Sequence, residues 1–201
     1  MGGIGITSVF PVGIASVRDP AGGGGQGYER SVRNERAMNV DDLVVTPTGA
    51  LFRGRRFART IGRGGVTDDK REGDGATPRG VHRVAGMLWR PDRAPRPAAW
   101  AEPILTGDLW SDDAGRGDYN GPVRAPYDGS AEALRRGDPM YDLVIVLDWN
   151  LVEPVAGRGS AIFVHEWRRP GAPTAGCVAF ARADLWWIAA RVVPGTRVVV
   201  I

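Results

Sequence analysis

A single cysteine, Cys177, follows His165, one of two histidines, by twelve positions in the stretch HEWRRPGAPTAGCVAF. Together the two residue types can do nucleophilic chemistry. A free thiol ionises near pH ~8.5, and an adjacent imidazolium can lower that by several units, so that a thiolate exists at neutral pH. The histidine ends an apolar run of strand character, which would hold its ring rigidly. The intervening loop carries two prolines and two glycines and is long enough to fold back and bring sulfur to ring. Gly176, lacking a side chain, would let the chain turn sharply. Its own N–H and that of Cys177 could then face an incoming carbonyl as an oxyanion hole, worth about 3 kcal/mol per donor. The same residues admit a second reading, because an unpaired cysteine is among the most often buried residue types. Cys177, standing before Val178, Ala179 and Phe180, also fits a small core residue.

The elements that must position this pair are strands. YDLVIVLDW, 141–149, and SAIFVHEW, 160–167, are nearly continuous apolar runs of strand length and read as central strands. Upstream, NVDDLVVTP, ALFRG and RRFARTIG are short β runs broken by turn residues, which predicts a hairpin or meander. The segment GRGGVTDDKREGDGATPRG, 62–80, is polar and glycine-rich and reads as a long loop before the strand VHRVAGMLW. Residues 90–138, rich in Pro, Gly, Asp and aromatics, read as ordered loop wrapping the core. In ARADLWWIAARV, Leu185, Ile188, Ala189 and Val192 recur at helical spacing, with Asp184 as the expected N-cap and Pro194-Gly195 as the stop. TRVVVI closes the chain as a last strand. Six or seven strands against one short C-terminal helix predict a mainly β domain, a sandwich or partial barrel.

Composition bounds the rest. With 201 residues and 43% hydrophobic content, the chain suffices for one core. Residues 1–37 contain a glycine run followed by mixed charge without periodicity and read as a flexible tail, leaving 38–201 as the folded domain. One cysteine excludes an internal disulfide framework and makes a cysteine-rich zinc site implausible. The net charge of +3 comes from arginines scattered among 23 acids, Lys70 being the sole lysine, with no basic stripe interleaved with aromatics; nucleic acid is not an expected partner. No run of eighteen apolar residues predicts a transmembrane helix. The N-terminus lacks a basic n-region and an unbroken apolar stretch, so the chain as written reads as unexported, although Met38 could mark a natural start. No cofactor motif is visible, and the glycines at 22–25 do not form a phosphate loop.

Three motifs carry a resemblance. TAGCV, 174–178, preceded by His165 on a strand, is similar to the H…[S/T]-x-G-C-[V/I] signature of the YkuD-type L,D-transpeptidases. DKREGDGATPRGVHRV, 69–84, resembles the K-x-E-G-D-G-x-T-P-x-G segment found upstream in that family. WSDDAGRGDYNGPV, 110–123, resembles a W-x-D-D…Y-N segment of an Arg/Gly-rich branch. Together these span residues 42–201. The resemblance implies a β-sandwich-like catalytic domain acting on peptidoglycan stem peptides without a cofactor or metal. Cys177 would be the nucleophile, His165 the base, Gly176 part of the oxyanion hole and Thr174 a residue positioning the loop or the substrate. A main-chain carbonyl would orient His165. Two positions depart from the family pattern. Ala175 stands where many members have His and Ala179 where many have Arg, which leaves the partner of a substrate carboxylate open among Arg124, Arg158, Arg168, Arg169 and Arg182.

Tyr119 and Asn120 are candidates to line a substrate groove or to hold their own loop. His82 reads as structural, Trp186 and Trp187 as packing, and Asp68, Asp69 and Asp74 as solvated carboxylates of a polar loop rather than a metal site. The leading expectation is a cysteine acyltransferase located in the cell envelope or periplasm. The alternatives are an L,D-carboxypeptidase using water, cytoplasmic if the missing leader is real, and a non-catalytic wall-binding module with an inert Cys177. A sortase-like enzyme is disfavoured by the short His-to-Cys interval, and a papain-like one by chain order.

Overall fold

The computed structural model describes residues 38–201, and the expected tail over 1–37 lies outside them. Residues Val40–Ile201 form one compact unit. The chain enters as a meander of β1 (Leu43–Thr46), β2 (Gly49–Phe52) and β3 (Arg55–Phe57). The turn between β2 and β3 is the pair Arg53-Gly54, both at positive φ (48° and 75°), the geometry that matches the twist of a tight hairpin. Only Ala58 separates β3 from β4 (Arg59–Thr60), yet these two lie at opposite ends of the strand order. That order runs β3-β2-β1-β15-β7-β12-β13-β14-β4, where β7 is Gly80–Trp89, β12 Leu143–Leu147, β13 Phe163–Glu166, β14 Val178–Phe180 and β15 Arg197–Val200. One continuous stretch of backbone thus supplies both edges, so the sheet curls until it nearly closes, and few exposed edge hydrogen bonds remain.

The curled sheet encloses a core of Val, Leu, Ile and Phe. The helix α1 (Arg182–Ala189) packs against it through Leu185, Ile188 and Ala189, all fully buried as the periodicity predicts. Asp184 is not the N-cap. The first helical bond runs from the Leu185 N–H to the Ala181 carbonyl, so the helix begins earlier, with Ala181 as a cap that offers no side-chain bond. Asp184 falls inside the first turn, where its carboxylate meets the positive end of the helix and pairs with Arg55 at 2.9 Å.

Two polar stretches are more ordered than their composition suggests. Residues 62–80 are stitched by the short parallel pair β5 (Val66–Thr67) and β6 (Thr77–Pro78). Residues 90–138 contain β8 (Glu102–Pro103), which pairs with β7. They also contain a separate antiparallel sheet of β9 (Asp108–Ser111), β10 (Pro122–Arg124) and β11 (Ala131–Ala133). This small sheet brings Trp110 edge-on to Phe163 of β13 at 5.1 Å. With both faces covered, every residue of β12, β13 and β14 is buried, which is why those strands read as unbroken apolar runs.

Candidate active site

Strand register decides where the sulfur and the imidazole lie. The parallel pair β13–β14 aligns Val164 with Val178 and His165 with Ala179. Side chains alternate between faces along a strand. Val164 and Val178 point into the main core, so Phe163, His165, Cys177 and Ala179 share the opposite face. Cys177 stands immediately before β14, and it and His165 both line one open cavity of about 590 Å³. The loop 172–176 forms one wall, while Asp112, Glu132, Arg136 and Tyr141 come from the 90–141 segment on the other side. Tyr141 packs edge-to-face on the His165 ring at 5.2 Å and donates its hydroxyl hydrogen to Glu132 at 2.7 Å.

His165 is 2% exposed. Its Nδ1 lies 2.8 Å from the main-chain carbonyl of Glu166, which can only accept, so the neutral ring carries its hydrogen on Nδ1 and keeps the Nε2 lone pair free for a proton. Burial pulls the imidazole down to about 4. Burial likewise pushes the Cys177 thiol up to about 12, with the negative charge of Glu132 adding to the effect. The thiol donates to the Ala161 carbonyl at 3.2 Å and accepts the Phe163 N–H at 3.4 Å. The resting pair is therefore neutral thiol and neutral imidazole, which corrects the expectation of a preformed thiolate. Burial disfavours the charged form of each group.

The loop that carries Cys177 is braced by the 61–77 segment. The Thr174 N–H donates to the Ile61 carbonyl and the Arg63 N–H to the Thr174 carbonyl, each at 2.9 Å. The Thr174 hydroxyl donates to the Cys177 carbonyl at 2.6 Å and accepts the Gly176 N–H at 3.1 Å. Thr77 donates its hydroxyl hydrogen to the Gly176 carbonyl at 2.8 Å and accepts the Gly62 N–H at 2.9 Å. Gly176 sits at φ +146°, where a Cβ would lie 3.0 Å from the Ala76 carbonyl oxygen, so only glycine fits. Its N–H is committed to Thr174 in this state rather than turned toward an incoming carbonyl.

Comparison with protein-family models matches residues 43–200 to the YkuD family, the L,D-transpeptidase catalytic domain. The chain belongs to this family. Neither a curated protein nor a solved structure matches it.

Within this L,D-transpeptidase domain the remaining sequence candidates separate. Thr174 and Gly176 line the cavity with Cys177 and His165; Tyr119 and Asn120 do not. Asn120 is 2% exposed and fully used. Its Oδ1 accepts the Trp110 Nε1–H and the Ala161 N–H, and its Nδ2 donates to the carbonyls of Trp149 and Asn150. It therefore fixes Ala161, the residue whose carbonyl holds the thiol. Tyr119 donates to Glu72 at 2.5 Å, and Glu72 rather than Tyr119 reaches the cavity. Of the five candidate arginines only Arg168 lines the cavity. Arg182 is engaged by Asp142 and Glu166, Arg124 by Asp108, and Arg158 stacks over Trp149. Sequence reasoning missed Arg63, Glu132 and Tyr141 on the cavity wall. Tyr141 was absorbed into the apolar run that it opens, and in the fold it ends a 3-10 turn, Pro139–Tyr141, capped by Asp138. His82 is buried away from the cavity, with Nε2 3.0 Å from the Pro78 carbonyl and its ring edge-on to Trp149. Asp68, Asp69 and Asp74 each pair with a base, and among the described residues no cluster of three metal-ligating side chains forms. No helix of the described residues is long and apolar enough to cross a membrane.

Proposed function

We propose that this chain is a peptidoglycan L,D-transpeptidase acting through a cysteine acyl-enzyme. The observation carrying the reading is the shared strand face that presents Cys177 and His165 to one open cavity. In the proposed reaction the Cys177 sulfur attacks the carbonyl carbon of the bond between the L-centre of a diamino acid and the terminal D-alanine of a stem tetrapeptide. His165 Nε2 takes the thiol proton as the S–C bond forms, then delivers it to the D-alanine nitrogen as the C–N bond breaks. The resulting thioester passes to an acceptor amine, whose proton returns through His165. Because both groups rest neutral, proton transfer is coupled to attack rather than completed beforehand.

The cavity walls support a zwitterionic peptide substrate. Arg63 and Arg168 line it; Arg168 already lies in the field of the Asp138 carboxylate, Arg63 makes no ion pair among the described residues, and a substrate carboxylate would be the counter-charge of Arg63. On the opposite wall Asp112 has a buried Oδ1 with no hydrogen-bond partner, and burial raises the Glu132 carboxyl. An ammonium group of a diamino acid would satisfy both. The test is incubation with a muropeptide tetrapeptide, with and without an acceptor amine, followed by mass spectrometry of products and of the protein. Transfer predicts a cross-linked product and a Cys177 thioester, both missing in Cys177→Ala. A tripeptide alone would replace this reading with hydrolysis by an L,D-carboxypeptidase. Absence of both product and adduct would leave a wall-binding module.

A further inference from the structure

We propose that Lys70 supplies the fixed positive charge that makes the Cys177 sulfur ionisable at the moment of attack, acting as a positioning residue from behind Gly176. This extends the acyl-enzyme reading above and rests on it. The first observation is compositional. The chain places arginine at every basic position but one, Lys70 being the sole lysine among 26 Lys and Arg residues. An ordinary surface cation in such a chain is arginine, so the exception calls for a reason, and the fold provides one. The Lys70 side chain is 3% exposed, the most deeply buried basic side chain among the described ion pairs.

Two glycines border its path. Gly159, at φ +89°, gives way to the aliphatic stem, since a Cβ there would lie 2.9 Å from Lys70 Cε. At the far end Nζ approaches Gly176, where a Cβ would lie 3.7 Å from it. The ammonium placed there is a compact point charge, which a planar guanidinium fork does not reproduce. Nζ donates to Asp74 Oδ1 at 2.5 Å and to the Arg71 carbonyl at 2.9 Å. Asp74 is in turn held by the N–H groups of Arg71 and Ala76. The ion pair is oriented: Nζ, and no atom of Asp74, is among the three atoms nearest the Gly176 Cβ position, and Lys70, not Asp74, acts on the thiol, favouring its ionised form against burial and Glu132. Lys70 does not line the cavity, so substrate does not touch it. Its charge reaches the sulfur through the low-dielectric layer formed by Gly176, where a unit charge is screened far less than in water.

Because Cys177 is the sole cysteine, alkylation of the full-length protein followed by mass spectrometry reports on one sulfur. Rates of iodoacetamide and of a bulkier maleimide are measured at fixed pH below the thiol midpoint for wild type, Lys70→Met, Lys70→Arg and Asp74→Asn. Removing the ammonium is expected to slow both reagents about tenfold, equivalent to about one pKa unit. Lys70→Arg is not expected to restore the rate. Removing the counter-carboxylate while keeping the ammonium is expected to accelerate both reagents several-fold, with their rate ratio unchanged. A pair that merely holds the loop predicts the same direction for Lys70→Met and Asp74→Asn, and that result overturns the proposal. So does a Lys70→Met rate within twofold of wild type, or an acceleration in Asp74→Asn that favours the bulkier reagent, which would signal opened access. If Lys70→Met does not fold, Asp74→Asn decides alone by the same criteria. A wild-type sulfur that neither alkylates nor acylates counts against the acyl-enzyme itself. Equal alkylation in all four proteins counts only against Lys70.

Discussion

The neutral burial of His165 makes a sign-definite prediction about stability. The folded ring titrates near 4, against about 6.5 when exposed. A group with a lowered folded pKa contributes stability that is fully present above pH 6.5 and is lost as pH falls through 4, because the unfolded chain takes up the proton first. A shift of this size corresponds to about 3 kcal/mol between pH 7.5 and 4. Urea unfolding of wild type and His165→Asn at these two pH values isolates that contribution. The asparagine amide can still donate to the Glu166 carbonyl, and other acid-sensitive groups, His82 among them, cancel in the difference. Wild type should lose about 3 kcal/mol more than the variant on acidification. An imidazolium without a thiolate partner would give the opposite sign, with wild type gaining on the variant as pH falls, whereas a thiolate–imidazolium pair binds the same single proton as the neutral pair and is told apart from it by the pH dependence of Cys177 alkylation. Equal losses, or a relative gain by wild type, would refute the neutral pair.

Three further outcomes follow from the same geometry. Iodoacetamide should modify wild-type Cys177 slowly at pH 7, with a rate that rises log-linearly with pH past 9, since burial holds the thiol near 12; a plateau already reached at pH 7 would indicate a preformed thiolate. Thr77→Val should cost about 1–3 kcal/mol in thermal or urea unfolding, because it strands the Gly62 N–H and the Gly176 carbonyl inside the protein, and should lower turnover more than substrate affinity. Gly176→Ala should lose about 1–3 kcal/mol of stability by the same measurement, through forced positive φ and contact with the Ala76 carbonyl oxygen, and should abolish acylation of Cys177 in the tetrapeptide assay.

How much of this was legible in the sequence varies with the range of the interaction. The central strands and α1 were readable because both depend on local periodicity, and the burial of Leu185, Ile188, Ala189 and Val192 follows the spacing. The helix start was misplaced because a carboxylate suited to capping lies three residues beyond Ala181, where the first bond forms. A partial barrel was expected, but which strands form its two edges was not legible, since that turns on Ala58 being the joint between strands that pair with distant partners. The small sheet of β9–β11 was hidden because its strands contribute only three or four residues each, too few for alternation to register. His165 and Cys177, which share the cavity, were singled out by residue type. The loss of their charges was not, because desolvation is a property of the walls, and those walls come from Tyr141, Glu132 and the 61–77 segment. The role of Asn120 was left open between groove and loop for the same reason: its four partners lie ten to forty-one residues away.

The bracing of Gly176 bears directly on how such a site can work. Its carbonyl is held by Thr77, its N–H by Thr174, and its α-carbon is pressed toward Ala76 and Lys70, so the peptide beside the sulfur has little freedom to rotate. If the Gly176 N–H is to serve an oxyanion, the bond to Thr174 must yield, and the Thr174 hydroxyl would then keep only the Cys177 carbonyl. Exchange of one hydrogen bond for another costs little when the new acceptor is charged, since charge-assisted bonds are about twice as strong as neutral ones. The resting contact with Thr174 thus keeps the donor satisfied while no oxyanion exists. The driving force to break it appears only as negative charge develops on the substrate, which is when stabilisation lowers a barrier rather than a ground state.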